Sequence, residues 1–237
     1  MLIAVLNQSS GPIGVTGVTD DDVATMTAAI ATQIQVDVAP AWDRAPATVT
    51  FYNKASDVPA GAFGVAIVNT IDDEPQGVLG VHTGDWGLVA TQPEFANGAQ
   101  VLTGDWSVSS TLSHEVLEIF VDPACNLWAD NGQGRAYSLE VCDPVEAPTA
   151  YTVSGVSVSN FVTPSWFDPA APAGAQFDKR GQVTAAFTMA ASGYVTYAKA
   201  GNVHQDWGTA YPGWRQTMKE GQTGGRGHRR TLASWHT

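Results

Sequence analysis

With 237 residues, of which 44% are hydrophobic and 14% charged, the chain is long enough for one large domain, or for a domain with an appended lobe, without disulfide staples. Its formal net charge of −12 argues against a general affinity for nucleic acid or for an anionic membrane surface. No apolar run approaches the roughly 18–20 residues of a membrane span, and the start, MLIAVLNQSSGP, has neither the basic region nor the apolar length of a signal peptide, so a cytoplasmic site of synthesis is expected.

Leu2–Leu6 is a short apolar run and reads as a buried strand. A turn-rich stretch with Gly11, Pro12, Gly14 and Gly17 follows. Thr19 then stands as a helix N-cap, with Asp20, Asp21 and Asp22 in the first turn, where acids complement the helix dipole and Thr-x-x-Asp approximates a capping box. Val23, Met26, Ile30 and Ile34 recur at helical spacing, and Pro40 closes the element. Strands are predicted at Thr48–Tyr52, Gly64–Val68, Val78–His82 and Gly87–Thr91, the last two flanking a turn at residues 83–86. The motif Val-x-Thr-Gly-Asp-Trp occurs at 81–86 and again at 101–106. Two copies are too few for a repeat architecture and read as similar turns.

A second helix is predicted from about Ser107 to Asp122, stopped by Pro123. The segment Tyr137–Glu146 reads equally as helix or strand. From residue 150 the pattern turns to β, with hairpins at Tyr151–Val158 and Phe187–Lys199 on either side of a Pro-rich link at 164–174. The expected class is α+β: a mixed sheet with two main helices over residues 1–146, a β-rich lobe over 147–214 and a basic Gly/Arg-rich tail over 215–237.

The second helix carries the most pointed chemistry. At about 100° per residue, Glu118 falls about 40°, Thr111 about 60°, Asp122 about 80° and Glu115 about 100° from His114, while Val108, Leu112, Val116, Ile119 and Phe120 occupy the opposite face. A helix largely sunk in the protein thus bears one polar stripe with a histidine and three acids. Unpartnered buried acids are costly, so the stripe must face a wet cleft, a cation or both. Residues i and i+4 point the same way, so His114 and Glu118 can bind one divalent ion, and the carboxylate of Glu115 projects where it can deprotonate a water held by that ion.

The segment Ser-His-Glu-Val-Leu-Glu resembles the zinc helix of the zincin metallopeptidases, and the strand–helix–strand–strand–strand order before it is similar to the zincin N-terminal subdomain. The resemblance implies His114 as a metal ligand, Glu115 as general base, zinc as the cofactor, and a peptide or protein substrate aligned along an edge strand, here Val78–His82 or Gly87–Thr91. Glu118 stands where the family motif has its second histidine. A carboxylate there makes the site harder and more negative, which brings other divalent cations, or no metal, into consideration. In the gluzincin branch a third ligand is a glutamate some twenty residues or more past the motif. Glu140 matches that placement, followed by Asp143 and then Asp122. Cys142 would alternate away from both Glu140 and Asp143 if that segment were extended.

Other patterns are weaker. Glu115, Glu118 and Glu140 could supply the carboxylate pair of a glycosidase, but only the tryptophan count supports a sugar cleft. Asp130–Gly134 faintly resembles a calcium loop and reads better as a turn. His82, His228 and His236 stand alone in sequence. Cys125 and Cys142 could pair or stay reduced. Residues 215–237 hold five of the eleven basic residues (Arg215, Lys219, Arg226, Arg229 and Arg230), so the tail reads either as a solvated segment or as an arm docking on an acidic surface. Two functions are therefore expected to compete. One is a zincin-like metal-dependent peptide hydrolase. The other is a non-catalytic assembly subunit, for example of a phage virion, that keeps a degenerate site and grips its neighbours through the tail.

Overall fold

In a computed structural model, which describes residues 1–9, 17–72, 74, 77–146 and 148–215, the first apolar run forms strand β1 (Leu2–Asn7), with Ile3 to Leu6 all buried. Such a run belongs inside a sheet covered on both faces. β1 accordingly lies between two parallel neighbours, β2 (Thr48–Tyr52) and β3 (Phe63–Val68). A hairpin of β4 (Gly80–Thr83) and β5 (Trp86–Ala90) completes the sheet. β5 runs parallel to β3, and β4 closes one edge antiparallel, giving the order β2-β1-β3-β5-β4.

Helix α1 (Asp20–Gln33) starts on the expected capping box: Thr19 Oγ1 accepts from the Asp22 N–H at 3.1 Å, and the Asp22 carboxylate accepts from the Thr19 N–H at 3.0 Å. Pro40 has no N–H to donate and its ring crowds the carbonyl one turn earlier. The helix widens to π geometry over Ile34–Val38 and ends in the short α2 (Ala39–Ala41). Thr91, expected as a strand end, instead begins the short helix α3 (Thr91–Ala96).

Helix α4 (Val108–Val121) is capped by Ser107, whose Oγ accepts from the Ser110 N–H at 3.2 Å. It packs against β3, β4 and β5, while α1 packs against β1 and β2, and the two helices touch. Gln33, buried on α1, donates to the Ser159 carbonyl at 2.8 Å and accepts from Ser113 of α4 at 2.8 Å. This satisfied polar link inside the core holds both helices and a later segment in one register.

Beyond α4 lie β6 (Trp128–Asp130), β7 (Ala136–Ser138) and the hairpin β8 (Tyr151–Val153) and β9 (Val156–Val158), followed by β10 (Tyr194–Lys199) and β11 (Asn202–Trp207). The hairpin expected within Phe187–Lys199 is displaced to Tyr194–Trp207. It turns at Ala200 and Gly201, both with positive φ, as two-residue hairpin loops prefer. Ser192 lies in a separate tight turn, closed by the Gly193 N–H on the Ala190 carbonyl at 3.0 Å, and Gly193, against the Pro144 backbone with no room for a Cβ, leads straight into β10. Strands β11-β10-β7-β6 form a second sheet, antiparallel throughout, that draws on both sides of residue 146. One hydrophobic cluster likewise joins Ile30, Leu112 and Val116 to Phe161, Trp166 and Tyr197.

The architecture is α+β, with a mixed sheet and an antiparallel one. The repeated Val-x-Thr-Gly-Asp-Trp segments differ in context: the first is the β4–β5 turn, the second a loop leading into α4. No described helix is long and apolar enough to cross a membrane. Residues 216–237, with Lys219, Arg226, Arg229, Arg230, His228 and His236, lie outside the described residues.

Candidate metal centre

The polar stripe of α4 is buried: His114, Glu115, Glu118 and Asp122 are each less than a tenth exposed. His114 Nε2 lies 3.2 Å from Glu118 Oε1 and 3.1 Å from Asp143 Oδ1. The other Glu118 oxygen, Oε2, is 3.4 Å from His82 Nδ1, which is also 3.6 Å from Glu115 Oε2. Two sets of donor atoms therefore converge within 4.8 Å of one another, His114, Glu118 and Cys142 in one and His82, Glu118 and Glu140 in the other.

Each partner arrives from a different element. His82 sits on the edge strand β4 opposite Gly87 of β5. A side chain at Gly87 would crowd it, since a Cβ there would lie 3.3 Å from His82 Cβ. Asp143 opens a single 3-10 turn, Asp143–Val145, held by Pro144. The ambiguous segment Tyr137–Glu146 is strand only to Ser138. It then bends, with Cys142 near helical dihedrals, so the strand alternation that would turn Cys142 away from the helix does not operate. Cys142 instead joins His114 and Glu118, and its N–H donates to Glu118 Oε1 at 3.4 Å. Both cysteines are free thiols.

The expected third ligands separate. Asp143, the second choice by spacing, stands beside His114, whereas Glu140, the first choice, groups with His82 and Glu118. Asp122 points elsewhere. Its two carboxylate oxygens accept the Asn126 and Leu127 N–H groups at 3.2 and 2.9 Å, closing the loop after α4. His82, isolated in sequence, is part of the cluster. The only local signal for it was its place on a predicted strand next to the helix motif.

The spacings suit a shared ion. Donor atoms bound to one metal at about 2.0–2.2 Å lie roughly 3.0–3.6 Å apart along a tetrahedral or octahedral edge. A direct ion-pair hydrogen bond between nitrogen and carboxylate would be about 2.7–2.9 Å. The contacts of His114 and His82, at 3.1 to 3.6 Å, fall in the first range, and the shortest of them, His114 to Asp143, is also a hydrogen bond. The donor set also fits: imidazole and carboxylate suit zinc and manganese alike. Glu115 Oε2 is buried and makes no hydrogen bond, nor does His82 Nε2.

Without an ion the electrostatics are severe. Burial opposes a charged His114, but Glu118, Cys142 and Asp143 outweigh it and hold its pKa well above the usual histidine range. Burial likewise opposes a charged His82, and Cys125, Glu115 and Glu118 overcome it in the same direction. For Glu118 burial acts to raise the pKa, yet the two histidines dominate and hold it far below the usual carboxylate range. Burial pushes the Cys142 thiol far upward. These groups are tuned by one another, as groups in functional sites commonly are.

A narrow cleft of about 20 Å³ runs over this helix. Leu79 and Gly80 form one wall, Thr111, His114 and Glu115 the floor, and Tyr194 and Arg215 the far wall. Arg215 is buried. Its Nη1 donates to Glu146 and its Nε to the Gly77 carbonyl at 3.1 Å, and its guanidinium lies 4.9 Å from the Trp106 ring centroid. The first residue of the basic segment thus docks on an acid of its own chain. Of the three glutamates considered for glycoside cleavage, Glu115 alone lines the cleft. Asp130 and Asn131 spend their side chains on the N–H groups of Gly132, Gln133 and Arg135, forming a turn between β6 and β7. No protein-family model matches this sequence, and no match was found among curated proteins or solved structures.

Proposed function

We propose that the protein is a zincin-like metal-dependent peptide hydrolase, with His114, Glu118 and Asp143 as metal ligands and Glu115 as the general base. The observation that carries this reading is the place of His114 on the buried helix that floors the cleft, its Nε2 3.2 Å from Glu118 Oε1 and 3.1 Å from Asp143 Oδ1, with Cys142 grouped beside His114 and Glu118. It changes the expected third ligand from Glu140 to Asp143. The resemblance to the zincin helix agrees with an antiparallel edge strand, β4, whose Gly80 lines the same cleft as His114 and Glu115.

A divalent ion held there would polarise a substrate carbonyl and make water more acidic. Glu115 lies one residue along the helix from His114, with one carboxylate oxygen free of hydrogen bonds and the side chain lining the cleft. A carboxylate so placed can take a proton from an attacking water and return it to the leaving amine. The strand β4 ends the sheet, with its His82 carbonyl held by the Cys125 thiol, and an extended peptide laid along its outer edge would be recognised by its backbone rather than by its sequence.

The test joins metal content to turnover. Purified, unchelated protein should carry stoichiometric zinc or manganese by mass spectrometry and cleave an unstructured protein substrate. Glu115→Gln should lower turnover by about 10²–10⁴-fold, the usual weight of a general base, and leave the metal in place. Asp143→Asn and Glu118→Ala should lose the metal. A chain that binds the ion yet cleaves nothing favours the assembly-subunit reading, and a chain that takes up no ion overturns the metal site.

A further inference from the structure

We propose that the site holds two divalent cations bridged by the carboxylate of Glu118, the second of them bound by His82, Glu118 and Glu140. This rests on the reading of His114, Glu118 and Asp143 as the ligands of the first.

Glu118 presents one oxygen to each histidine: Oε1 to His114 Nε2 at 3.2 Å and Oε2 to His82 Nδ1 at 3.4 Å. A single ion cannot be bonded to donors that diverge to opposite oxygens of one carboxylate as easily as two ions can. A bridging carboxylate is the usual device of two-metal hydrolytic sites, whose ions stand about 3.5–4 Å apart. The donor atoms of His82, Glu118 and Glu140 lie within 4.8 Å of one another, as do those of His114, Glu118 and Cys142 beside the first ion.

The Glu115 carboxylate points to the same place. Glu115 Oε2 is buried without a hydrogen bond and lies 3.6 Å from His82 Nδ1, too far for a good ion-pair hydrogen bond. It faces the same space as the His82 donor atom.

Cys125, whose thiol donates to the His82 carbonyl at 3.7 Å, fixes the backbone of β4 at this residue. With imidazole and carboxylate donors only, the second site suits manganese or zinc rather than copper.

Manganese alone is the probe. Metal-free protein loaded with Mn²⁺ and freed of excess should carry two ions per chain, with the exchange-coupled paramagnetic resonance spectrum of a bridged pair. His82→Ala should carry one ion and show the six-line signal of an isolated Mn²⁺, with an unchanged circular dichroism spectrum. Should His82→Ala fail to fold, Glu140→Gln reads the same loss from two ions to one. One ion in the wild type, lost in His114→Ala and kept in His82→Ala, overturns the second site and leaves the first standing. Two uncoupled ions, or two ions in both His82→Ala and Glu140→Gln, also overturn it, and no ion in the wild type overturns both sites together.

Discussion

A methyl group on Gly80 would fall against the side chain of Glu115, its carbon 2.8 Å from the Glu115 carboxyl carbon. The edge strand therefore approaches the helix as closely as a residue without a side chain permits, and Glu115 is packed into that gap. Gly80 acts as a positioning residue for the proposed base. Gly80→Ala should displace the carboxylate by about an ångström, a misplacement that costs on the order of 10²-fold in turnover. Bound metal should stay at the wild-type level, since Gly80 touches none of its proposed ligands. Steady-state kinetics with parallel metal analysis decides the matter, and wild-type turnover in Gly80→Ala would remove Glu115 from the role of base.

Glu94 is a buried carboxyl away from the proposed ligands, accepting a hydrogen bond from Thr111 of α4. Burial holds its pKa well above the usual range, against the opposing pull of Thr111 and of Arg215. The folded state thus keeps a proton that the unfolded chain releases near pH ~4.3. The stabilisation is complete below that pH and is lost as pH rises towards the folded pKa. Glu94→Gln keeps the hydrogen-bonding shape and removes the loss. It should raise Tm at pH 7 by roughly 2–4 °C, the shift that about 1 kcal/mol produces in a chain of this size. At pH 4 little change is expected. Calorimetry at both pH values tests it, and an equal change at both would show that Glu94 does not titrate with folding.

Leu112 has no solvent exposure and belongs to the cluster that joins α1, α4 and the segment after β9. Leu112→Ala should cost about 2–5 kcal/mol, the range for leaving a cavity in a packed core. Urea unfolding would measure it. A loss below about 1 kcal/mol would mean that α4 does not carry the core in the way its burial indicates.

The same residues show how far local pattern reaches. The capping box at Thr19, the strand at Thr48–Tyr52 and the span of α4 were legible because each depends on neighbours within a few residues: a side chain that caps its own helix, a β-branched run, a 3.6-residue apolar period. The displaced hairpin at Tyr194–Trp207 was not, because Ser-Gly and Ala-Gly are both turn formers, both segments turn, and local sequence does not say which turn joins paired strands.

The sequence by itself determined the α+β class and the polar stripe of His114, Glu115 and Glu118, since helical geometry alone puts residues i, i+1 and i+4 on adjoining faces. Only the tertiary structure decided what meets that stripe. His82 joins it because β4 pairs antiparallel with β5 at a register that sets His82 across from Gly87. Asp143, rather than Glu140, stands beside His114 because the chain abandons the strand after Ser138 and bends at Cys142 into a 3-10 turn. Sheet register and loop curvature are settled by packing between distant segments, and one residue of register shift in β4 would turn His82 to the opposite face of the sheet.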